Sequence, residues 1–261
     1  MKIGIIIPAY NEEERIGSTL KDYSKVLELK TKKGDKYTIL VVVNNTNDDT
    51  VGVIKKIKKT NSNIAYLDLK EGGKGYAIKE GLKFFSKERY DLIGFTDADS
   101  STPAESFYSL IENIGKYDGV IASRYIKGAR VEPKQDLKRR LVSRMGNLVI
   151  RSLFMFNYKD TQCGAKVFRR QALEKIIDKL STTQWGFDID LLYLLCREGY
   201  KVKEFPIYWR DAPGSKLNIK RASIQVFLAT INIRLTNSPF KKVLKVTGPI
   251  AGFIWKGAKK I

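Results

Sequence analysis

The chain has 261 residues, of which 43% are hydrophobic and 29% charged, proportions that exclude a disordered chain and supply one substantial core. Its formal charge is +20, and the surplus avoids half of the chain: residues 1–123 hold 19 basic and 18 acidic side chains, 124–169 hold 12 against 3, and 197–261 hold 14 against 3. Such an excess points to a polyanion, either nucleic acid or an anionic membrane surface, with a Lys-rich surface kept for solubility as the plainer reading. Histidine is absent, which removes the commonest general base and the commonest metal ligand.

In chain order, the apolar run at 3–7 reads as a buried strand. It is stopped by Pro8 and is too short for a signal peptide. Asn11 with Glu14 three residues on forms a capping-box pattern for a first helix. Residues 37–43 are a second β-branched run, followed by polar 44–50 and a helix near 51–59. A third strand is expected at 64–69, then a helix opened by Gly72-Gly73-Lys74-Gly75. A fourth strand at 92–96 ends at Asp97, and a fifth falls at 120–123. This alternation predicts an α/β fold with a mostly parallel sheet covered on both faces.

Beyond 124 the pattern changes. Residues 137–156 read as one long helix, with Leu141, Met145, Leu148, Val149, Leu153 and Phe156 on one side and Arg139, Arg140, Arg144 and Arg151 interleaved. That stripe is either core or a surface that lies on a bilayer. A helix follows at 187–198, a strand at 202–209, a Pro-Gly-Ser loop at 211–218 and an amphipathic helix at about 221–235. No window of about 18 uninterrupted apolar residues occurs, so no transmembrane helix is expected. Cys163 and Cys196 show no pairing pattern, which fits a reducing cytosolic setting.

Three stretches carry chemistry. Asp97-Ala98-Asp99 ends a strand, where ligands of open α/β sheets bind. Two carboxylates two residues apart in extended chain share a side and suit one hard divalent cation, with diphosphate oxygens completing its shell. Pro8-Ala9-Tyr10-Asn11-Glu12 follows the first strand, and Tyr10 can lie against a nucleoside base. The glycines around Lys74 allow close backbone approach, and Lys74 can reach a phosphate. For the two carboxylates the alternative is a solvated turn, and for the other stretches an ordinary loop.

Taken in order, these residues resemble the family 2 glycosyltransferases of GT-A fold. Ala122-Ser123-Arg124-Tyr125, Lys159-Asp160-Thr161-Gln162-Cys163-Gly164, Trp185-Gly186-Phe187-Asp188 and Gly214-Ser215-Lys216-Leu217 narrow the resemblance to the polyprenyl-phosphate branch. Within that branch the chain looks most like the dolichyl-phosphate glucosyltransferases, with a Ser-Arg-Tyr-Ile-Lys-Gly stretch that echoes the mannose synthases. The resemblance implies one domain over 1–236, with a nucleotide-sugar half at 1–123 and an acceptor half at 124–236, followed by a basic amphipathic tail at 237–261.

It also implies donor contacts at Pro8, Tyr10, Glu12, Val43, Asn45, Asp97, Ala98 and Asp99. Mg2+ or Mn2+ would be held by Asp97 and Asp99, with Ser101 where some relatives place a third ligand. Arg124, Arg139 and Lys216 would hold an acceptor phosphate, and Asp99 and Asp188 are the catalytic candidates. The family usually has Asp-Asp-Gly-Ser after its second strand; Asn44-Asn45-Thr46-Asn47 stand there instead, which leaves uridine and guanosine both open. The expected reaction is inverting transfer of a hexose, glucose before others, from a nucleotide diphosphate sugar such as UDP-glucose to dolichyl or another polyprenyl phosphate. Mannosyl transfer from GDP-mannose, and a hydroxyl acceptor with Asp188 or Asp190 as base, are the alternatives. A phosphate monoester is largely dianionic at pH 7 and needs little deprotonation, which suits a chain without histidine. The enzyme is expected in the cytoplasm, attached peripherally to the cytoplasmic face of a membrane. Nucleic acid is not expected, since no recognition motif occurs and the Asp97–Asp99 pair would be idle.

Overall fold

Five apolar runs in the first half become strands: β1 (Lys2–Ala9), β2 (Lys36–Asn44), β3 (Ile64–Leu69), β4 (Leu92–Phe95) and β5 (Gly119–Ser123). Helices α1 (Ile16–Lys30), α2 (Thr50–Lys58), α3 (Lys74–Lys87) and α4 (Ala104–Glu112) connect them. The second half adds β6 (Arg130–Glu132), α5 (Leu137–Phe154), β7 (Lys166–Arg169), α6 (Arg170–Glu174), α7 (Phe187–Arg197), β8 (Val202–Pro206), β9 (Tyr208–Arg210) and α8 (Ile219–Thr236). The computed structural model describes residues 1–133, 137–181, 186–210 and 219–237, with the backbone alone at 137–140, 142 and 219–224.

One seven-stranded sheet runs β3-β2-β1-β4-β7-β5-β8, and a two-stranded sheet pairs β6 with β9. All pairings are parallel except those of β7, which is antiparallel to both β4 and β5. Strands from both halves of the sequence therefore share one sheet. Alternate residues of β1 enter opposite cores: Ile3, Ile5 and Ile7 pack with α1, α2 and α4, and Ile6 packs with α3, α6 and α7. Burial on both faces is why these strands read as continuous apolar runs.

Four expectations need correction. The first helix begins at Ile16, and no side chain caps it. Asn11 instead has a positive φ of 53°, donates its N–H to Thr46 Oγ1 (2.8 Å) and accepts from Asn47 N–H (2.9 Å), tying the loop after β1 to the loop after β2. The strand expected at 202–209 is two strands in two sheets, broken at Ile207. The helix expected at 137–156 ends at Phe154 and has two apolar faces. Asn147, Ile150 and Phe154 are buried, whereas Leu141, Met145, Leu148 and Val149 are exposed at helical spacing. Finally, α4, β6, β7 and α6 were not foreseen. Among the described residues no helix is long and apolar enough to cross a membrane.

Candidate active site

The antiparallel strand β7 assembles the site. Its first residue, Lys166, lies beside Phe95 at the carboxyl end of β4, so the loop before β7 is delivered to the same edge as Asp97. There the backbone has left the extended form: residues 98–101 turn, and Ser100 has a positive φ of 58°. Asp99 Oδ1 accepts from Ser101 N–H (3.0 Å) within that turn. The two carboxylates thus lie at a turn and not in the extended chain expected.

Asp97 is closely bracketed. Lys74 Nζ pairs with its Oδ1, and a Cβ on Gly164 would lie 2.0 Å from its Oδ2, so only glycine leaves the carboxylate its place. Burial pushes the Asp97 carboxyl up, but Lys74, with Lys166 and Arg124 behind it, outweighs burial and holds it below the usual carboxylate range. The same pairing raises Lys74 above its ordinary value, although the partial loss of solvent around its ammonium works against it. An ammonium already resting on Asp97, an anionic neighbour in Asp99 and a cradle that a methyl group would fill fit a cation-binding pair. Among the described residues no cluster of three Asp, Glu or Cys side chains forms a complete metal cage. A metal here would take its other ligands from a substrate. Ser101, the expected third ligand, is 4% exposed, and its carbonyl accepts from Arg210 N–H.

On the donor side, Tyr10 is exposed and Pro8 half-buried at the end of β1. Glu12 accepts from Nε and Nη2 along one edge of the Arg15 guanidinium (2.7 Å each). Partial burial raises the Glu12 carboxyl, Arg15 opposes this, and Asp99 and Asp97 add to the rise. Asn45 is exposed, with a φ of 53°, and its neighbour Asn44 is buried. With its amide oriented by its neighbours, Asn44 donates to Ala9 O (2.6 Å) and accepts from Gly73 N–H (2.9 Å). A carboxylate there could not donate to Ala9, which gives the asparagine a physical reason. Val43 and Ala98 are buried beneath these loops and offer little surface to a donor.

On the acceptor side, Arg124 is already engaged. Its Nε and Nη2 donate to the fully buried Asp160 (2.8 and 3.0 Å), and Tyr125 and Trp209 flank its guanidinium. Burial pushes the Asp160 carboxyl up, and Arg124 more than reverses it, holding it low. Asp188 accepts from Lys166 Nζ (2.6 Å), a lysine with no exposure that also donates to Cys163 O (2.6 Å). Asp190, the other candidate base, is buried and accepts from Ser181 N–H and Oγ (2.7 Å each), so it belongs to the scaffold. Burial pushes the Cys163 thiol up to about 11, which leaves it unreactive near neutral pH. Arg139 lies on α5 with its side chain outside the described residues; Lys216, Trp185 and the tail after Asn237 also lie outside them.

Four residues of the stretch 160–166 therefore have separate tasks. Asp160 fixes Arg124, Thr161 bonds Asn147 of α5, Cys163 supplies a carbonyl to Lys166, and Gly164 makes room for Asp97. Lys166 and Gly164 were not singled out as site residues from sequence, although both stand in or beside a stretch that was.

Two carboxylates just past a strand end, at the carboxyl edge of a mostly parallel sheet, are the arrangement with which a glycosyltransferase would hold a metal-bound nucleotide diphosphate sugar. The glycosyl transferase family 2 profile matches residues 4–177, and the chain belongs to that family. Among individual proteins it is 31% identical over 243 residues to a dolichyl-phosphate beta-glucosyltransferase of Dictyostelium discoideum, covering 89% of this chain and 73% of that one. It is 28% identical over 228 residues to the human dolichyl-phosphate beta-glucosyltransferase, covering 83% and 69%. The fold is GT-A: glucosyl-3-phosphoglycerate synthase of Mycobacterium tuberculosis, solved with Mn2+, UDP and phosphoglyceric acid, superposes with a TM-score of 0.65 at 18% identity, over 89% of this chain and 78% of that one.

Proposed function

We propose that the protein transfers glucose, with inversion, from a nucleotide diphosphate sugar to dolichyl or another polyprenyl phosphate. The observation that carries the phosphate acceptor is the state of the acidic groups on the acceptor side. Asp188 is tied to Lys166, Asp190 is buried on Ser181, and the chain has no histidine. A hydroxyl acceptor normally needs a positioned base, whereas a phosphate dianion brings its own nucleophilic oxygen. That oxygen attacks the anomeric carbon, the bond to the diphosphate breaks, and the nucleoside diphosphate leaves. Among the described residues no second nucleophile stands ready to form a covalent glycosyl intermediate, which supports single displacement.

Asp97 and Asp99 would hold Mg2+ or Mn2+, which supplies positive charge to the departing diphosphate. Tyr10, Glu12 and Asn45 border the donor side, and Lys74 reaches the phosphates. On the acceptor side Arg124 donates Nε and one Nη2 hydrogen to Asp160 and keeps other N–H groups for a phosphate, a role that Arg139 and Lys216 would share. The similarity to dolichyl-phosphate glucosyltransferases favours glucose over mannose and a lipid acceptor over a soluble one.

The exposed stripe of Leu141, Met145, Leu148 and Val149, with Arg144 beside it, supports peripheral attachment to an anionic membrane surface. The face of that membrane is the cytoplasmic one in this reading, because two cysteines with no pairing pattern suit a reducing compartment. The test is a panel of UDP-glucose, GDP-mannose and UDP-N-acetylglucosamine, each with a short polyprenyl phosphate and Mg2+ or Mn2+. Glucose transfer that stops with chelator is expected. Mannose transfer from GDP-mannose, or full activity in excess chelator, would overturn the assignment.

A further inference from the structure

Three cations surround Asp97, and they are not equivalent. Lys166 is wholly buried and committed to Asp188 and the Cys163 carbonyl. Arg124 is committed to Asp160. Lys74 pairs with Asp97 itself, and its side chain is 36% exposed. Its backbone is fixed: Lys74 opens α3 after Gly73, which has a φ of 132° that favours glycine, and Asn44 holds the Gly73 amide against the end of β1. A flexible four-carbon stem thus projects from an anchored point at the mouth of the site. Of the three, Lys74 alone is paired with Asp97 and partly exposed, so its ammonium can move to a ligand without breaking another ion pair.

A divalent cation at Asp97 and the ammonium of Lys74 on its Oδ1 repel, so a metal there weakens the lysine's hold on the carboxylate. Yet without Lys74, Asp97 would have no cation in direct contact, since Lys166 and Arg124 are committed to Asp188 and Asp160, and it would face the like charge of Asp99. We propose that Lys74 is an exchangeable counter-ion, which neutralises Asp97 in the donor-free enzyme and moves to the donor's diphosphate when metal and nucleotide enter together. This rests on the metal role given to Asp97 above. It makes metal and nucleotide binding mutually dependent, and by linkage each strengthens the other by the same factor. If Lys74 occupies Asp97 about 90% of the time, metal alone binds roughly tenfold more weakly than the open pair would allow.

The experiment titrates the full chain with Mn2+ and follows the free-ion electron paramagnetic resonance signal, first without nucleotide and then with UDP. Wild type is compared with Lys74→Met, with Lys74→Gln as a second removal of the charge. Lys70→Met, an exposed lysine nearby in sequence, controls for general loss of positive charge. In wild type, UDP should tighten Mn2+ binding at least tenfold. Both Lys74 variants should bind Mn2+ alone about tenfold more tightly than wild type, with the gain from UDP reduced to match, while Lys70→Met stays within twofold. Mn2+ binding that is equal in wild type and the Lys74 variants, or equally tightened by Lys70→Met, would overturn the exchange alone. No Mn2+ binding by any variant, even with UDP, would overturn both the exchange and the metal role of Asp97.

Discussion

Replacing Gly164 with alanine tests whether the loop before β7 really sets the position of Asp97. The added Cβ would lie 2.0 Å from Asp97 Oδ2 and 2.6 Å from its Cγ, where contacts below 3.0 Å essentially do not occur. The carboxylate must therefore retreat by at least about 1 Å, and misplacement of that size costs roughly a hundredfold in rate. This corresponds to about 2.7 kcal/mol of transition-state stabilisation. Stability should hardly change, because the φ of Gly164 is not in the left-handed region and the methyl group meets a side-chain end, not the core. Where the backbone accepts it, Gly→Ala even stabilises by about 0.4–1 kcal/mol through the unfolded chain. The assay is initial-rate transfer of labelled glucose from UDP-glucose to a short polyprenyl phosphate, beside thermal melts of both proteins. Loss of about a hundredfold in kcat/KM with an unchanged melting temperature is expected. A variant within threefold of wild type in rate would refute the geometry around Asp97.

Other perturbations separate the remaining parts of the account. Arg139→Ala should lower kcat/KM for the lipid phosphate about ten- to a hundredfold, the cost of one charge-assisted contact, while donor affinity barely moves; Asp188→Asn should cost less than Asp97→Ala, and the reverse ranking would indicate a general base acting on a hydroxyl. Asp160→Ala leaves the buried Arg124 unpaired and should cost about 3–5 kcal/mol in denaturant unfolding. Because Arg124 depresses the Asp160 pKa, that contribution is fully present above about pH 4, the unfolded value, and is lost as pH falls through the folded value; a deficit that persists unchanged in acid would contradict the pairing. Binding to anionic vesicles should weaken steeply with salt, since each basic side chain adds about 1 kcal/mol at the surface, and Leu148→Glu should weaken it further. Vesicle binding that Leu148→Glu leaves untouched would remove α5 from the membrane surface.

How much could be read in advance followed from physics that differs along the chain. β1 to β5 were legible because parallel strands buried on both faces are uninterrupted apolar runs, and Asp97 stood out because it ends one of them. β7 was not, because its four residues begin and end in basic side chains and Lys166 reads as surface, although it has no exposure. Asn11 misled for a related reason: its side chain could have capped a helix locally, but it bonds Asn47 across the loop. Arg124 was identified as a site residue without its partner, since Asp160 lies 36 residues away and only the fold brings them together. The tasks of 160–166 are tertiary throughout, so local pattern marked the stretch without explaining it.

The acceptor's phosphate is the central claim, and it can be addressed with wild-type protein alone. UDP-glucose and Mg2+ or Mn2+ are supplied with either a short polyprenyl phosphate or the matching polyprenol, and the glycolipid product and released UDP are measured together. A glucosyl phosphate lipid of inverted anomeric configuration, formed with one UDP per glucose and only from the phosphate, is the outcome this account predicts. Glucose transferred as readily to the polyprenol as to its phosphate would contradict it.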